Sequence, residues 1–361
     1  MARPATAAGQ LAPAADRHGR GRPCRAVPAG VVAVVLVVAL VAASTLAVSS
    51  GTIGIPIGRV WSVIGQHLLG GVDTGTADLI VWQLRLPRVL LAAVVGAGLG
   101  LVGTAAQALV RNPLADPYLL GVSSGASLGA VVLIVLVDGG GLLGLGLSAA
   151  AFLGALASFV LVWLFAKRGG GFSPLRVVLA GVGIAHFLSG ITSYLVLQAG
   201  DLQRTQGVLF WLLGSLSGAE WNQLAVPTLV VLLGFAVLQA RSRALNAVMM
   251  GDETAASLGV DVTRLRRGLF VVTSMLTGVL VAVSGAIAFV GLVVPHVCRM
   301  VVGGDHRRLL PVSGLAGALL LVVVDLVARV ALPNQEVPIG VVTALIGAPT
   351  LLYLLNRRLE R

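Results

Sequence analysis

Apolar positions run through the chain in about ten long blocks, broken by short stretches of Gly, Pro and charge. A hydrocarbon core takes about 20 residues of helix per crossing, so each block predicts one transmembrane helix. The first is Val27 to Val48, and the second opens on Arg85-Leu86-Pro87-Arg88, where Pro87 suits a first helical turn. The third and fourth run from Leu119 to Val137 and from Leu147 to Ala166, the fifth ends at Ala199 and the sixth near Ala240. The seventh starts near Leu269, and G-A-I-A-F-V-G-L-V-V-P-H-V-C-R turns the chain into the eighth, with Pro295 as a kink or helix start. The ninth carries Asp325 and Arg329, and the tenth opens on Glu336-Val337-Pro338 and ends at Arg357-Arg358. The predicted fold class is all-α, a polytopic membrane protein of about ten transmembrane helices.

Between the blocks the pattern changes period. I-P-I-G-R-V-W-S-V-I-G-Q-H-L-L predicts an amphipathic helix on the outer surface, with Trp61 and then Trp82 at the interface. F-W-L-L-G-S-L-S-G-A-E-W predicts a short re-entrant or surface helix, with Trp211 and Trp221 placed likewise. The longest mixed stretch, Arg241 to Gly268, predicts two short helices at an angle. Gly251 breaks the first, Asp252 caps the second, Gly259 stops it and Asp261 caps the span that follows. Leu245, Val248 and Met249 on one helix and Ala255 and Leu258 on the other would form one apolar face, a knuckle suited to a groove on a partner. Residues 1–26 lack an apolar period and read as a disordered basic cytoplasmic tail, leaving 27–361 as one membrane domain. A basic tail before an apolar run also describes a secretory signal, but Val27 to Val48 has the length of a full span.

Composition agrees: 57% hydrophobic and 11% charged residues with a mean hydropathy of +0.98 exclude a soluble domain of this length. The net charge of +11 would point to nucleic acid in a soluble protein. Here it obeys the positive-inside rule. With ten spans and both termini cytoplasmic, only Arg59, Arg85, Arg88, Arg204 and Arg329 of the 25 basic residues face outward, so no nucleic-acid partner is needed. Cys24 and Cys298 face no oxidising compartment, and no disulfide is expected.

Three motifs are rejected on physical grounds. Gly98 to Gly103 spells a dinucleotide fingerprint inside an apolar helix, where its glycines, with Gly96, serve close helix approach instead. Gly121-Val122-Ser123-Ser124-Gly125 spells a serine-hydrolase elbow, but small residues at the start of a packed helix explain it better than an intramembrane protease. His186 reads as a packed neutral histidine, because no second ligand falls within a turn of it. No catalytic residue, metal site or cofactor is expected. Asp325 and Arg329, at i and i+4, read as an intramembrane ion pair.

The energy source separates the remaining classes. Asp325 is the only carboxylate inside a span, which argues against ion coupling, and no P-loop precedes the single lysine, Lys167. A channel needs no energy. A cytoplasmic knuckle is better explained as the joint to a separate ATPase.

At these residues the chain resembles the FecCD-type family of iron-chelate uptake permeases, which includes the vitamin B12 permease. The resemblance rests on R-L-P-R at Arg85, A-L-V-R-N-P-L-A-D-P-Y-L-L-G-V-S-S-G-A at Ala108, W-L-L-G-S at Trp211 and G-A-I-A-F-V-G-L-V-V-P-H at Gly285. It continues in G-D-H-R-R-L-L-P at Gly304 and E-V-P-I-G-V-V-T-A-L-I-G-A-P at Glu336, all in family order over about residues 30 to 358. It implies a type II ABC importer permease in the bacterial cytoplasmic membrane, carrying a ferric siderophore, or vitamin B12 or haem, along a path lined largely by spans five and ten. It implies a second permease subunit, identical or different, two cytoplasmic ATPase subunits and an extracytoplasmic substrate-binding protein. Arg85, Arg88 and Arg329 match the arginines that receive glutamates of that binding protein. Leu245, Val248, Met249, Gly251, Asp252, Glu253, Ala255, Leu258 and Gly259 match the ATPase-coupling helices, with Ala256 where the commoner pattern has Arg. Ser173, Pro174 and Leu175 match a cytoplasmic gate and are less polar than in the vitamin B12 system.

Overall fold

The computed structural model describes residues 28–51, 53–71, 75–137, 146–167, 173–332 and 335–359. The expected tail at 1–26 and most of the basic loop after Lys167 lie outside the described residues. Among those described the chain is helical, and its one β-type pairing is an isolated bridge between Leu332 and Gln335.

In chain order the helices are α1 (Ala29–Ser49), α2 (Ile57–Leu68), α3 (Leu86–Val110), α4 (Val122–Leu136), α5 (Leu147–Lys167), α6 (Pro174–Leu197) and α7 (Leu202–Leu213). They continue as α8 (Ala225–Ala240), α9 (Ser242–Met249), α10 (Asp252–Ser257), α11 (Val262–Ser284), α12 (Val290–Val302), α13 (His306–Val330) and α14 (Ile339–Leu359). A π-helical stretch, Leu79–Arg85, runs directly into α3. Among the described residues seven helical stretches are long and apolar enough to cross a membrane, and α4, α12 and α14 carry shorter apolar segments, which together meet the expected ten.

Short polar residues start these helices as their side chains dictate. Asp201 accepts from the Gln203 N–H at α7, Asp261 from the Arg264 N–H at α11 and Asp305 from the Arg307 N–H at α13. Asp252 departs from the expectation: it is the first residue of α10, whose N-cap is Gly251 at φ 119°, and its carboxylate turns to arginines instead. Gly259 does stop the knuckle in the left-handed region, at φ 80°.

At the centre of the bundle α3 and α13 come into backbone contact at their glycines. A Cβ on Gly96 would strike the Gly317 carbonyl, one on Gly317 the Gly96 carbonyl, and one on Gly100 the Ser313 carbonyl. The glycine run read as a packing device therefore brings two backbones into contact. By contrast α1 lies at the periphery and leaves most of its apolar surface open to lipid.

The turn between α11 and α12 is buried rather than at a surface, with Ile287 1% exposed. Backbone groups there must find partners without water. The Tyr118 hydroxyl accepts from the Ile287 N–H at 2.7 Å and donates to the Ile287 carbonyl at 2.8 Å, while the Ser215 N–H donates to the Ser284 carbonyl at 2.9 Å. Phe289 takes a left-handed φ of 68° to start α12.

One other expectation changes. His186 is exposed on α6 rather than packed. Trp82 and Trp221 contact each other, with ring centroids 4.8 Å apart, and Trp82 stacks on His67 at 4.1 Å, so they tie α2 to the bundle. Trp61 remains half exposed.

Candidate functional site

Charged residues gather at one end of the bundle. Arg88, in the first turn of α3, donates from Nε to Asp325 Oδ1 at 2.8 Å and from a terminal nitrogen to both Glu336 oxygens at 2.8 and 3.0 Å. Arg329 lies one turn along α13 from Asp325, with Nε 3.1 Å from Oδ2, an ion pair without the angle of a hydrogen bond. Its outer nitrogen donates to the Ala47 carbonyl at 2.9 Å. Asp325 is fully buried, a costly position for a carboxylate unless cations flank it as these two do.

Arg85 is used differently. It donates to the Val48, Ser49 and Ile53 carbonyls at 2.8, 3.1 and 2.6 Å, closing the carbonyl-rich C-terminus of α1. The three arginines expected at one rim do line one cavity of about 670 Å³, together with Gly51, Ser217 and Glu336. Three guanidinium groups face two carboxylates there, which leaves one positive charge unmatched. In the sequence Glu336 marks only the start of a span and of a family motif. Its signal was a carboxylate one residue before a Val-Pro helix entry, and its side chain is 44% exposed. A larger cavity of about 960 Å³, lined by Asp201, Arg204, Trp211 and Gly285, shares Ser217 and Ala219 with the first.

The knuckle occupies the opposite end of α3 and α13. Its expected single apolar face divides in two: Leu245, Val248 and Ala255 are buried in the chain's own core. Met249, Met250 and Leu258 point outward, Leu258 64% exposed, and Glu253, Ala256 and Gly259 are exposed beside them. An amphipathic α9 with Leu245 and Val248 inward leaves its neighbouring positions free, the ordinary consequence of a 3.6-residue period. Asp252 does not cap. It accepts two hydrogen bonds from buried Arg266 at 2.7 and 2.9 Å, and Arg111 approaches it at 3.1 Å. Asp305 sits nearby with its carboxyl held below the usual carboxylate range, chiefly by the Asn246 amide and then by the Arg307 N–H.

Ser173 and Pro174 are half-buried at the start of α6, and Leu175 is exposed. The structure brings them to neither cluster. Ser123, the serine of the elbow-like motif, is buried in the first turn of α4.

Known proteins share this architecture. The model of the FecCD transport family matches residues 36–357. The cobalamin import system permease protein BtuC of Halobacterium salinarum is 45% identical over 283 residues, 78% of this chain and 75% of that protein. The Fe(3+) dicitrate transport system permease protein FecD of Escherichia coli is 41% identical over 280 residues, 77% of this chain and 85% of that protein. A solved ABC transporter described as metal-chelate type, in an inward-facing conformation, superimposes with a TM-score of 0.79 at 32% identity, covering 91% of this chain and 99% of that one.

Proposed function

The chain belongs to the FecCD transport family, and on that premise we propose that it is the membrane-spanning permease of an ATP-binding-cassette importer that brings a metal chelate into the cytoplasm. ATP hydrolysis falls to two separate ATPase subunits. The observation that carries this reading is the division of labour along α3 and α13: one end holds a cavity with an unmatched positive charge, and the other meets a helical knuckle with exposed Met and Leu.

The first end suits a carboxylate of an extracytoplasmic binding protein, received at Arg85, Arg88 and Arg329. The second suits an ATPase groove, entered by Met249, Met250 and Leu258, with Gly251 and Gly259 setting the angle and Asp252 holding the knuckle to the bundle. The imbalance of basic residues supports a cytoplasmic knuckle and cytoplasmic termini. The larger cavity, adjoining the charged one, suits the entrance for cargo, Ser173, Pro174 and Leu175 suit a gate at the other end, and a second permease subunit completes the path.

A ferric siderophore is the cargo we favour from the sequence, and the 45% identity to a cobalamin permease supports cobalamin as the second reading. The test is uptake by cells expressing the transporter, with labelled ferric siderophore and labelled cobalamin offered separately. Accumulation of either that stops when the ATPase is inactivated supports the importer reading. Uptake of neither, or uptake indifferent to the ATPase, contradicts it.

A further inference from the structure

Beside the Arg266–Asp252 pair that ties the knuckle to α11, two further anchors reach past its neighbours in sequence, α8 and α11, to the pair α3 and α13. Arg111, the residue that ends α3, places a guanidinium nitrogen 3.1 Å from Asp252 Oδ1. Asn246, on α9, donates to Asp305 Oδ1 at 2.7 Å, and its own carbonyl oxygen receives the His306 N–H at 2.9 Å and lies 2.7 Å from His306 Nδ1. An amide oxygen only accepts, so the network requires the proton on Nδ1. Just before the knuckle, Gln239 at the end of α8 also donates to the Arg307 carbonyl of α13 at 3.0 Å.

The same two helices carry the charged cluster at their other ends, Arg88 on α3 and Asp325 with Arg329 on α13. Each spans 25 residues, about 37 Å. Between the ends the Gly96–Gly317 and Gly100–Ser313 contacts bring backbone against backbone, leaving at those two points no side chain that could change rotamer and absorb a displacement. A shift imposed at one end of such a pair must appear at the other or break the seam.

We propose that α3 and α13 form a rigid strut joining the charged cluster to the knuckle, and that Arg111 and Asn246 are the positioning residues that fasten the knuckle to it. The proposal rests on the importer reading, in which the two ends meet a binding protein and an ATPase. Neither residue is offered as a contact for either partner: Asn246 is half-buried beneath the knuckle, and Arg111 faces Asp252.

The test uses the transporter assembled with its ATPase and binding protein in nanodiscs. Hydrolysis is measured without and with cargo-loaded binding protein, and binding-protein affinity is measured with and without a non-hydrolysable ATP analogue. For the double variant Arg111→Ala, Asn246→Ala we expect assembly and a basal rate within about twofold of wild type, but stimulation by the loaded binding protein reduced about fivefold or more. Because coupling is reciprocal, the ATP analogue should also cease to change binding-protein affinity. Arg111→Lys alone, which keeps the charge, should keep most of the stimulation. If the double variant does not assemble, Asn246→Ala alone is read by the same ratio. Wild-type stimulation in the assembled variant overturns the strut and leaves the importer reading intact. A wild-type protein that recruits no ATPase overturns the importer reading and the strut with it.

Discussion

At Asp325 a fully buried carboxylate is held by two guanidinium groups, so each partner is needed less for attraction than to keep the others from being stranded. Arg88→Ala should therefore destabilise the protein by about 3–5 kcal/mol, as a buried pair broken on one side does, and thermal unfolding in detergent measures it. That loss confounds any docking assay on Arg88. Glu336 offers the cleaner test, because it is exposed and competes for Arg88 with an incoming carboxylate. Glu336→Gln should tighten docking of the binding protein, most at low salt, and titration at two ionic strengths reads it. Weaker docking would mean that Glu336 is itself a contact. Asp305 sets a pH expectation of its own. Its folded pKa lies below the unfolded value of about 3.9, so the stability it contributes is complete above that pH and is lost as pH falls through the folded pKa. Hydrogen exchange at α9 should thus be insensitive to this group between pH 6 and 8, and Asp305→Asn should remove a component of the loss only under acid conditions.

Helix packing gives a contrast between two kinds of glycine. Gly100→Val would drive a side chain into the Ser313 carbonyl and force α3 from α13, a loss above the usual 1–3 kcal/mol of overpacking, read as failure to elute as a folded species. Gly183, on α6, has open space around its Cβ position, so Gly183→Ala should be neutral or stabilise by up to about 1 kcal/mol in the same assay. The glycine run was legible in sequence as a packing device because its spacing and apolar setting excluded the nucleotide alternative. Its partner on α13 was not, since Gly317 and Ser313 stand about 220 residues away with no local signal. The knuckle shows the same limit. Helix, break and stop were readable from Gly251, Gly259 and Asp261, but which side faces the bundle depends on contacts from α3 and α13. Leu258→Asp, on the exposed side, should abolish ATPase association while the protein still inserts; Leu245→Asp, on the buried side, should prevent folding. Equal association by the Leu258→Asp protein would remove the knuckle from the interface.

For the molecule as a whole, span number and membrane class were legible because hydropathy acts over about 20 residues at a time. The grouping of Arg85, Arg88 and Arg329 followed from the family resemblance and the Asp325–Arg329 pair from its i, i+4 spacing, whereas Glu336 as a partner of Arg88 was not legible, because that contact joins the start of α3 to the entry of α14. Likewise the exposure of His186 and the deep turn at Ile287 follow from how the helices assemble, which the apolar pattern does not encode. The proposed orientation predicts that a cysteine at Asp201 is labelled from outside intact cells and one at Asp252 is not. The central claim is that this permease is driven by ATP hydrolysed on partners held at the knuckle while cargo enters at the opposite end. The most direct measurement is accumulation of labelled chelate in proteoliposomes holding the full transporter, with binding protein outside and ATP sealed inside. Our account predicts accumulation against a gradient that requires both internal ATP and external binding protein, whereas equal chelate entry without ATP would contradict it.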